Sequence, residues 1–338
     1  MKNVIKYFYN IELDNIRMID NDYYFVYDNN KFIFYNVNNI SLNHKLINEL
    51  NSLLLKNSNN FFRIILNKNN EIVTKFENNN YILMLENFCN DMEFDYLDIL
   101  ETNISMDSIN YNNVNNWDKL WQTKIDYFET FIQNNTNKYQ QLNNYYNYFI
   151  GMAENAIAYY KTTMELKNKN FYDKPVISHK RIEKKHTFKD LYNPIYLMVD
   201  HPSRDLSEYL KMIFWNKKNN YNNIIFKCLK DVRLSDFGAC ILFSRMMYPS
   251  FFFDGFEKLV NNKIGIQELF EIINKMAEYE QYLLQIYTIL KDEHSVFTID
   301  WLKKVDYSST LTTPKTSGIS LISIDSIPSL SVTSIMLQ

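Results

Sequence analysis

Any chemistry in this chain concentrates between Val176 and Leu210, in the stretch VISHKRIEKKHTFKDLYNPIYLMVDHPSRDLSEYL. Three of the five histidines fall here, His179, His186 and His201, beside Asp200, Arg204 and Asp205, so acid–base or phosphate chemistry is sought here first. A short β-branched run, Val176–Ile182, carries Ser-His-Lys-Arg near its end. A second apolar run, Ile195–Val199, delivers Asp200, His201 and Pro202, and Arg204-Asp205 follow at a helix start. Two strands presenting polar side chains at one end, followed by a helix, suit phosphoryl transfer. That reaction needs a carboxylate to take a hydroxyl proton and oxygen ligands for magnesium. It also needs a lysine and backbone amides to grip phosphate.

Each of these residues also has a plainer reading. Asp205 with Glu208 fits a capping box, which makes Asp205 a helix N-cap. Arg204 can pair with Asp200 or Glu208, and His201 before Pro202 reads as a turn residue. His186 and His294 are isolated, and no His-x3-His spacing suggests a metal site. Cys89, Cys228 and Cys240 are odd in number and far apart, so neither a disulfide framework nor a zinc cluster follows. Each reads as a buried apolar residue in a reducing compartment. Asp236-Phe237-Gly238 spells the magnesium motif of protein kinases. It sits, however, in a helical stripe of Leu234, Phe237, Ile241 and Met247, and so reads as the first turn of a helix.

The means of holding a nucleotide are poor. The chain's five glycines are Gly151, Gly238, Gly255, Gly265 and Gly318, so the first 150 residues have none for a phosphate-wrapping loop. Lys31 and Glu49 are the weak candidates for a phosphate-gripping Lys–Glu pair. Lys31 opens its strand, with Phe34 and Tyr35 in the middle, and such a pair reads first as a surface ion pair.

The elements that must position these residues divide by periodicity. Ile16–Ile19, Tyr23–Tyr27 and Phe32–Val37 read as strands, with a hairpin turn at Asn29-Asn30. Ser41–Leu55 has leucines at helical spacing with Ser41 as N-cap, and Phe61–Leu66, Glu71–Phe76 and Tyr81–Glu86 read as strands. Beyond an acidic connector, Asn87–Asp98, the pattern turns helical. Trp117, Leu120, Trp121, Ile125, Phe128 and Ile132 form one stripe; Leu142, Tyr145, Phe149, Met152, Ala156 and Tyr160 form another. Further helices are expected at Leu206–Trp215, Ser235–Tyr248, Phe252–Val260 and Ile266–Leu290. Ser308–Gln338 lacks aromatic residues in a chain rich in them, so residues 307–338 read as a flexible Ser/Thr-rich tail. The net charge of −3, with no basic block, argues against nucleic acid as a partner. No apolar window is long enough for a membrane span, and the polar start, Met1–Ile16, is unlike a signal peptide. A cytosolic protein is therefore expected.

The layout and four stretches together carry a resemblance. WDKLW (Trp117–Trp121), YFIGMAENAIAYY (Tyr148–Tyr160), ISHKRI (Ile177–Ile182) and DHPSRDLSEYL (Asp200–Leu210), in this order, resemble the YutH-type spore-coat-associated proteins. These are relatives of the CotS coat proteins of endospore-forming bacteria, and the likeness runs to about Asp306. It implies an α+β, two-lobed protein-kinase-like fold of the aminoglycoside- and choline-kinase branch. A small antiparallel β-lobe would cover residues 1–86. A larger, mainly helical lobe would cover 87–306, with a central β-hairpin at 176–200.

The resemblance also implies what is missing. The catalytic His-Gly-Asp of active relatives falls on His179-Lys180-Arg181, and an arginine cannot act as the base. Asp200 falls at the metal-binding aspartate, and Asn193 is the nearest residue to a second metal ligand. Asp200 and Asp205 are expected to hold the Arg181 guanidinium and close the cleft. His179, Arg181, Asp200 and Asp205 are then vestigial positions, and no catalytic residue, cofactor or metal is expected. The implied role is a pseudokinase component of the bacterial spore coat, whose partners are other coat proteins. It would be made in the mother-cell cytosol during sporulation and laid on the forespore surface. The alternative is an active small-molecule phosphotransferase using ATP and magnesium.

Overall fold

The computed structural model describes residues 1–38, 40, 42–88, 93–106, 116–134, 139–183, 185–216 and 222–303. In chain order the elements begin with α1 (Lys2–Tyr9), β1 (Arg17–Ile19), β2 (Asp22–Tyr27), β3 (Asn30–Asn36), α2 (His44–Asn57), β4 (Phe61–Ile65), β5 (Val73–Phe76) and β6 (Asn79–Asn87). Then come α3 (Tyr96–Thr102), α4 (Trp117–Asn134), α5 (Asn143–Leu166), β7 (Val176–His179), β8 (Leu197–Asp200) and α6 (Ser203–Asn216). The remainder is helical: α7 (Asn222–Asp231), α8 (Asp236–Met247), α9 (Ser250–Val260), α10 (Ile266–Asn274), α11 (Met276–Glu293) and α12 (Asp300–Lys303). The fold is thus an antiparallel sheet followed by a mainly helical portion.

Contacts divide the chain into two compact units, Met1–Val114 with Lys174–Met212, and Asn115–Asp173 with Ile213–Gln338. This division does not coincide with the boundary drawn at Glu86. The 176–200 hairpin groups with the sheet rather than with the later helices.

In the first unit the sheet runs β1-β2-β3-β6-β4, with β5 also paired to β6. Strand β6 is the spine: its nine residues pair with β3 on one side and with β4 and β5 in succession on the other. Side chains alternate across it. Tyr81 and Leu83 join Phe25, Phe32 and Phe34 under Ile5, Ile11 and Leu13, while Ile82 and Met84 join Ile33, Val37 and Phe62 on the other face. The two N-terminal hairpins turn through Asp20-Asn21 and Asp28-Asn29, all four with positive φ. A two-residue turn of that hand needs both residues left-handed, so the second turn lies one residue before the expected Asn29-Asn30.

Helix α2 is capped by Asn43, whose side chain accepts the Leu46 N–H at 3.1 Å, not by Ser41, which lies outside the described residues. Cys89 and residues 304–338, including the expected tail, also lie outside them. Helices α1, α3, α7 and α12 were not expected.

In the second unit α4 buries Trp121, Ile125, Phe128 and Ile132, but Leu120 is exposed and Trp117 only half-buried, so the stripe is narrower than read. Helix α8 is buried from Phe237 to Met247 on every side and packs along α5. Phe149 of α5 stacks on Phe252 of α9 at 3.6 Å between ring centres. The expected helix Ile266–Leu290 is two helices, broken at Lys275. Among the described residues no helix is long and apolar enough to cross a membrane.

Candidate functional site

The register of the β7–β8 hairpin sets Val176 opposite Asp200 and His179 opposite Leu197. The chain therefore leaves β8 at Asp200, and α6 starts three residues later. Arg204 and Asp205, in the first turn of that helix, then turn back toward the His179-Lys180 end of β7.

Both carboxylates in this group are committed. Asp200 accepts the His201 N–H on Oδ1 at 2.7 Å, and its Oδ2 faces the Arg204 guanidinium at 3.2 Å. Arg204 also donates from Nε to the His179 carbonyl and from Nη2 to the Lys180 carbonyl, each at 2.6 Å. Asp205 accepts the His179 N–H at 2.7 Å and faces His179 Nδ1 at 2.9 Å. In the amide orientation that satisfies its surroundings, Asn103 also donates to Asp205 at 2.8 Å and to the Ile177 carbonyl at 2.9 Å. His179, Asp200, Arg204 and Asp205 are all buried.

The surroundings of His179 favour its charged form. Its second ring nitrogen, Nε2, faces the Leu191 carbonyl at 3.0 Å, so both nitrogens meet acceptors, which suits a ring protonated on both. Burial opposes the charge, but the Asp205 carboxylate and the Leu191 carbonyl outweigh it and raise the pKa above its ordinary value. Asp200 with Arg204 and Asp205 with His179 thus form two buried carboxylate–base contacts side by side.

Arg181, expected against Asp200 and Asp205, has a partner that was not foreseen. The carboxylate beside its guanidinium is that of Glu208, at 3.1 Å, and the Arg181 side chain is 42% exposed. The guanidinium on Asp200 belongs to Arg204. Glu208 and Asp205 therefore form no capping box; Asp205 spends its oxygens on His179, 26 residues back. Asn193 accepts the Ile195 N–H at 3.1 Å and shapes its own turn. His201 is buried, with Nδ1 2.7 Å from Ser203 Oγ.

The sheet face toward the hairpin is filled by the chain itself. Ile195 is 1% exposed and belongs to the apolar cluster of Ile33, Val37, Ile82 and Met84. Beside it the Tyr196 hydroxyl bonds that of Tyr35, near the end of β3, and the His186 ring stacks on Tyr196. Burial pushes the pKa of the Tyr35 hydroxyl up, and that of His186 down. This contact was not foreseen; only the aromatic Tyr35 in the strand hinted at it.

Lys31 and Glu49 are both exposed, and no hydrogen bond or ion pair joins them. Asp236-Phe237-Gly238 opens α8, with Ser235 as N-cap accepting the Gly238 N–H at 2.7 Å. Among the described residues no cluster of His, Cys, Asp and Glu could hold a metal ion.

Comparison with known proteins agrees with this geometry. The family described as "Spore coat putative kinase YutH" matches residues 2–286. The endospore coat-associated protein YutH of Bacillus subtilis (strain 168) is 30% identical over 189 residues, covering 50% of this chain and 55% of that protein. The match thus spans about half the length of the curated relative. A crystal structure of an aminoglycoside phosphotransferase from Alicyclobacillus acidocaldarius superposes with a TM-score of 0.54. It covers 83% of this chain and 93% of that one at 6% identity, which establishes a shared kinase-like fold and nothing more.

Proposed function

From the premise that the chain belongs to the YutH family of spore coat proteins, we propose that it is a kinase-fold coat component that transfers no phosphate. One observation carries this reading: the carboxylate at the metal position, Asp200, is neutralised from within by Arg204 at 3.2 Å. A guanidinium there already supplies the positive charge, and a magnesium ion would be repelled by it. Three further features support the reading. Arg181 stands where the base is needed, the sheet lacks glycine, and Ile195 and Tyr196 fill the sheet face beside β3. Losing a general base alone costs about 10²–10⁴-fold. Losing the phosphate grip as well removes the positioning on which this reaction depends.

The protein would act through contacts with other coat proteins, being made in the mother-cell cytosol and deposited on the forespore surface. The test is calorimetric titration of the purified protein with ATP, with and without magnesium, beside a transfer assay on small alcohols and amines. No binding and no transfer are expected. Micromolar Mg-ATP affinity, or transfer abolished by Asp200→Ala, overturns the reading and identifies an active phosphotransferase.

A further inference from the structure

The two edges of the six-stranded sheet end differently. On the β4 side Asn51 of α2 stands in for a missing strand. Its amide donates to the Phe62 carbonyl and its oxygen accepts the Ile64 N–H at 3.3 Å. Asn51 is buried there, so that edge is closed.

Among the described residues nothing covers the β1 side in this way. Strand β1 pairs with β2 alone among the described strands, and all three of its residues are exposed, Met18 at 61% and Ile19 at 40%. Val26 and Tyr27 are exposed as well, at the far end of β2 beyond the residues that pair with β1. Sheets guard such edges with lysine, proline, bulges or a covering element. Strand β1 has one charge, Arg17, and no proline.

The backbone of this edge is self-complementary. The β1–β2 hairpin closes through the two-residue turn Asp20-Asn21, with Ile19 opposite Asp22. In such a hairpin the pair flanking the turn exchanges both hydrogen bonds, and bonding alternates along the ladder. The N–H and C=O of Met18 therefore point away from β2, along the open edge. A second β1, running antiparallel with Met18 facing Met18, exchanges both bonds about a two-fold axis. One surface then serves both partners. Ile19 of each copy falls opposite Arg17 of the other, and Arg17 comes beside the Asp20 turn. Among the described residues neither Arg17 nor Asp20 has an ion-pair partner, so their charges are available across the axis.

We infer that the β1 edge is a self-association surface, at which a second copy of this chain adds its β1 antiparallel across Met18 and joins the two sheets into one. Each copy contributes little area, so the dimer is a weak one that high local concentration favours. The inference is independent of whether the chain transfers phosphate.

Sedimentation of the 338-residue chain from about 1 to about 200 µM tests it, a range matched to a small interface. The expected result is a concentration-dependent monomer–dimer equilibrium. Met18→Pro removes an N–H that faces solvent in the monomer, and edge strands accept proline at such positions. It should raise the dimer Kd about tenfold or more, equivalent to about 1.4 kcal/mol, at an unchanged melting temperature. Arg17→Asp leaves the backbone alone and should also weaken the dimer, by setting like charges beside Asp20. A wild-type monomer throughout this range overturns the inference. So does association that both variants leave unchanged, which places the contact elsewhere.

Discussion

Arg204 and Asp200, four residues apart across the β8–α6 junction, form an ion pair at 3.2 Å with side chains 3% and 1% exposed. The pair ties three segments together, because the same guanidinium also bonds the carbonyls that end β7. A buried pair is strongly destabilising when broken, since the remaining charge has no compensation. Arg204→Met should therefore lower the unfolding free energy by roughly 3–5 kcal/mol in denaturant titrations. Adding Asp200→Asn should recover part of that loss. A single variant as stable as wild type would mean that Asp200 finds another counter-charge.

His179 makes this region sensitive to pH. Its folded pKa is raised by the Asp205 charge and by hydrogen bonds, against the opposing effect of burial. A raised folded value means the imidazolium favours the fold. Its contribution is complete below the unfolded value of about 6.5 and is lost as pH rises through the folded value. The stability advantage of wild type over His179→Gln should then be greatest near about pH 6 and shrink toward alkaline pH. Melting curves for the two proteins that run parallel across that range would refute this.

The sheet was legible because β3 is dense in aromatic residues, β6 carries the apolar run Tyr81–Leu85, and the hairpin turns carry Asp and Asn. The α4 and α5 stripes were legible from their helical spacing. Local patterns misled where a distant partner outcompeted them. Asp205 and Glu208 have capping-box spacing, yet the hairpin register brings His179 to Asp205 and Arg181 to Glu208. Which arginine takes Asp200 depends on the same register, which spacing along the chain does not encode. Helix α1 was missed because its two lysines and flanking Asn mask Val4 and Ile5, which are buried. The α10–α11 break carries no glycine or proline; it falls at Lys275, with φ −83° and ψ 0°.

Trp121 should be the most sensitive position on α4. It is 7% exposed, stacks on Tyr248 at 4.6 Å with an interplanar angle of 11°, and meets Tyr160 edge-on at 5.5 Å. Removing it leaves a cavity lined by both rings. Trp121→Ala should cost roughly 3–5 kcal/mol, against little for exposed Leu120→Ala on the same helix. Equal losses at the two positions would show that α4 presents a different face to its neighbours.

Glu280 tests a half-buried acid in the helical unit. The Tyr148 hydroxyl donates to its Oε1, and burial raises the Glu280 pKa despite that bond. Burial, followed by the Glu280 charge, also holds Tyr148 well above its usual value, so Tyr148 stays a donor. An acid with a raised folded pKa prefers its protonated form in the fold. That preference stabilises below the unfolded value and is lost as pH rises through the folded one, leaving a partly desolvated charge at neutral pH. Glu280→Gln removes the charge and keeps an oxygen for Tyr148. It should melt above wild type near pH 7, with the difference closing toward about pH 4, where both side chains are neutral. Because the change leaves the hydroxyl contact in place, a Gln variant that melts below wild type at neutral pH would show that the charged hydrogen bond outweighs its desolvation.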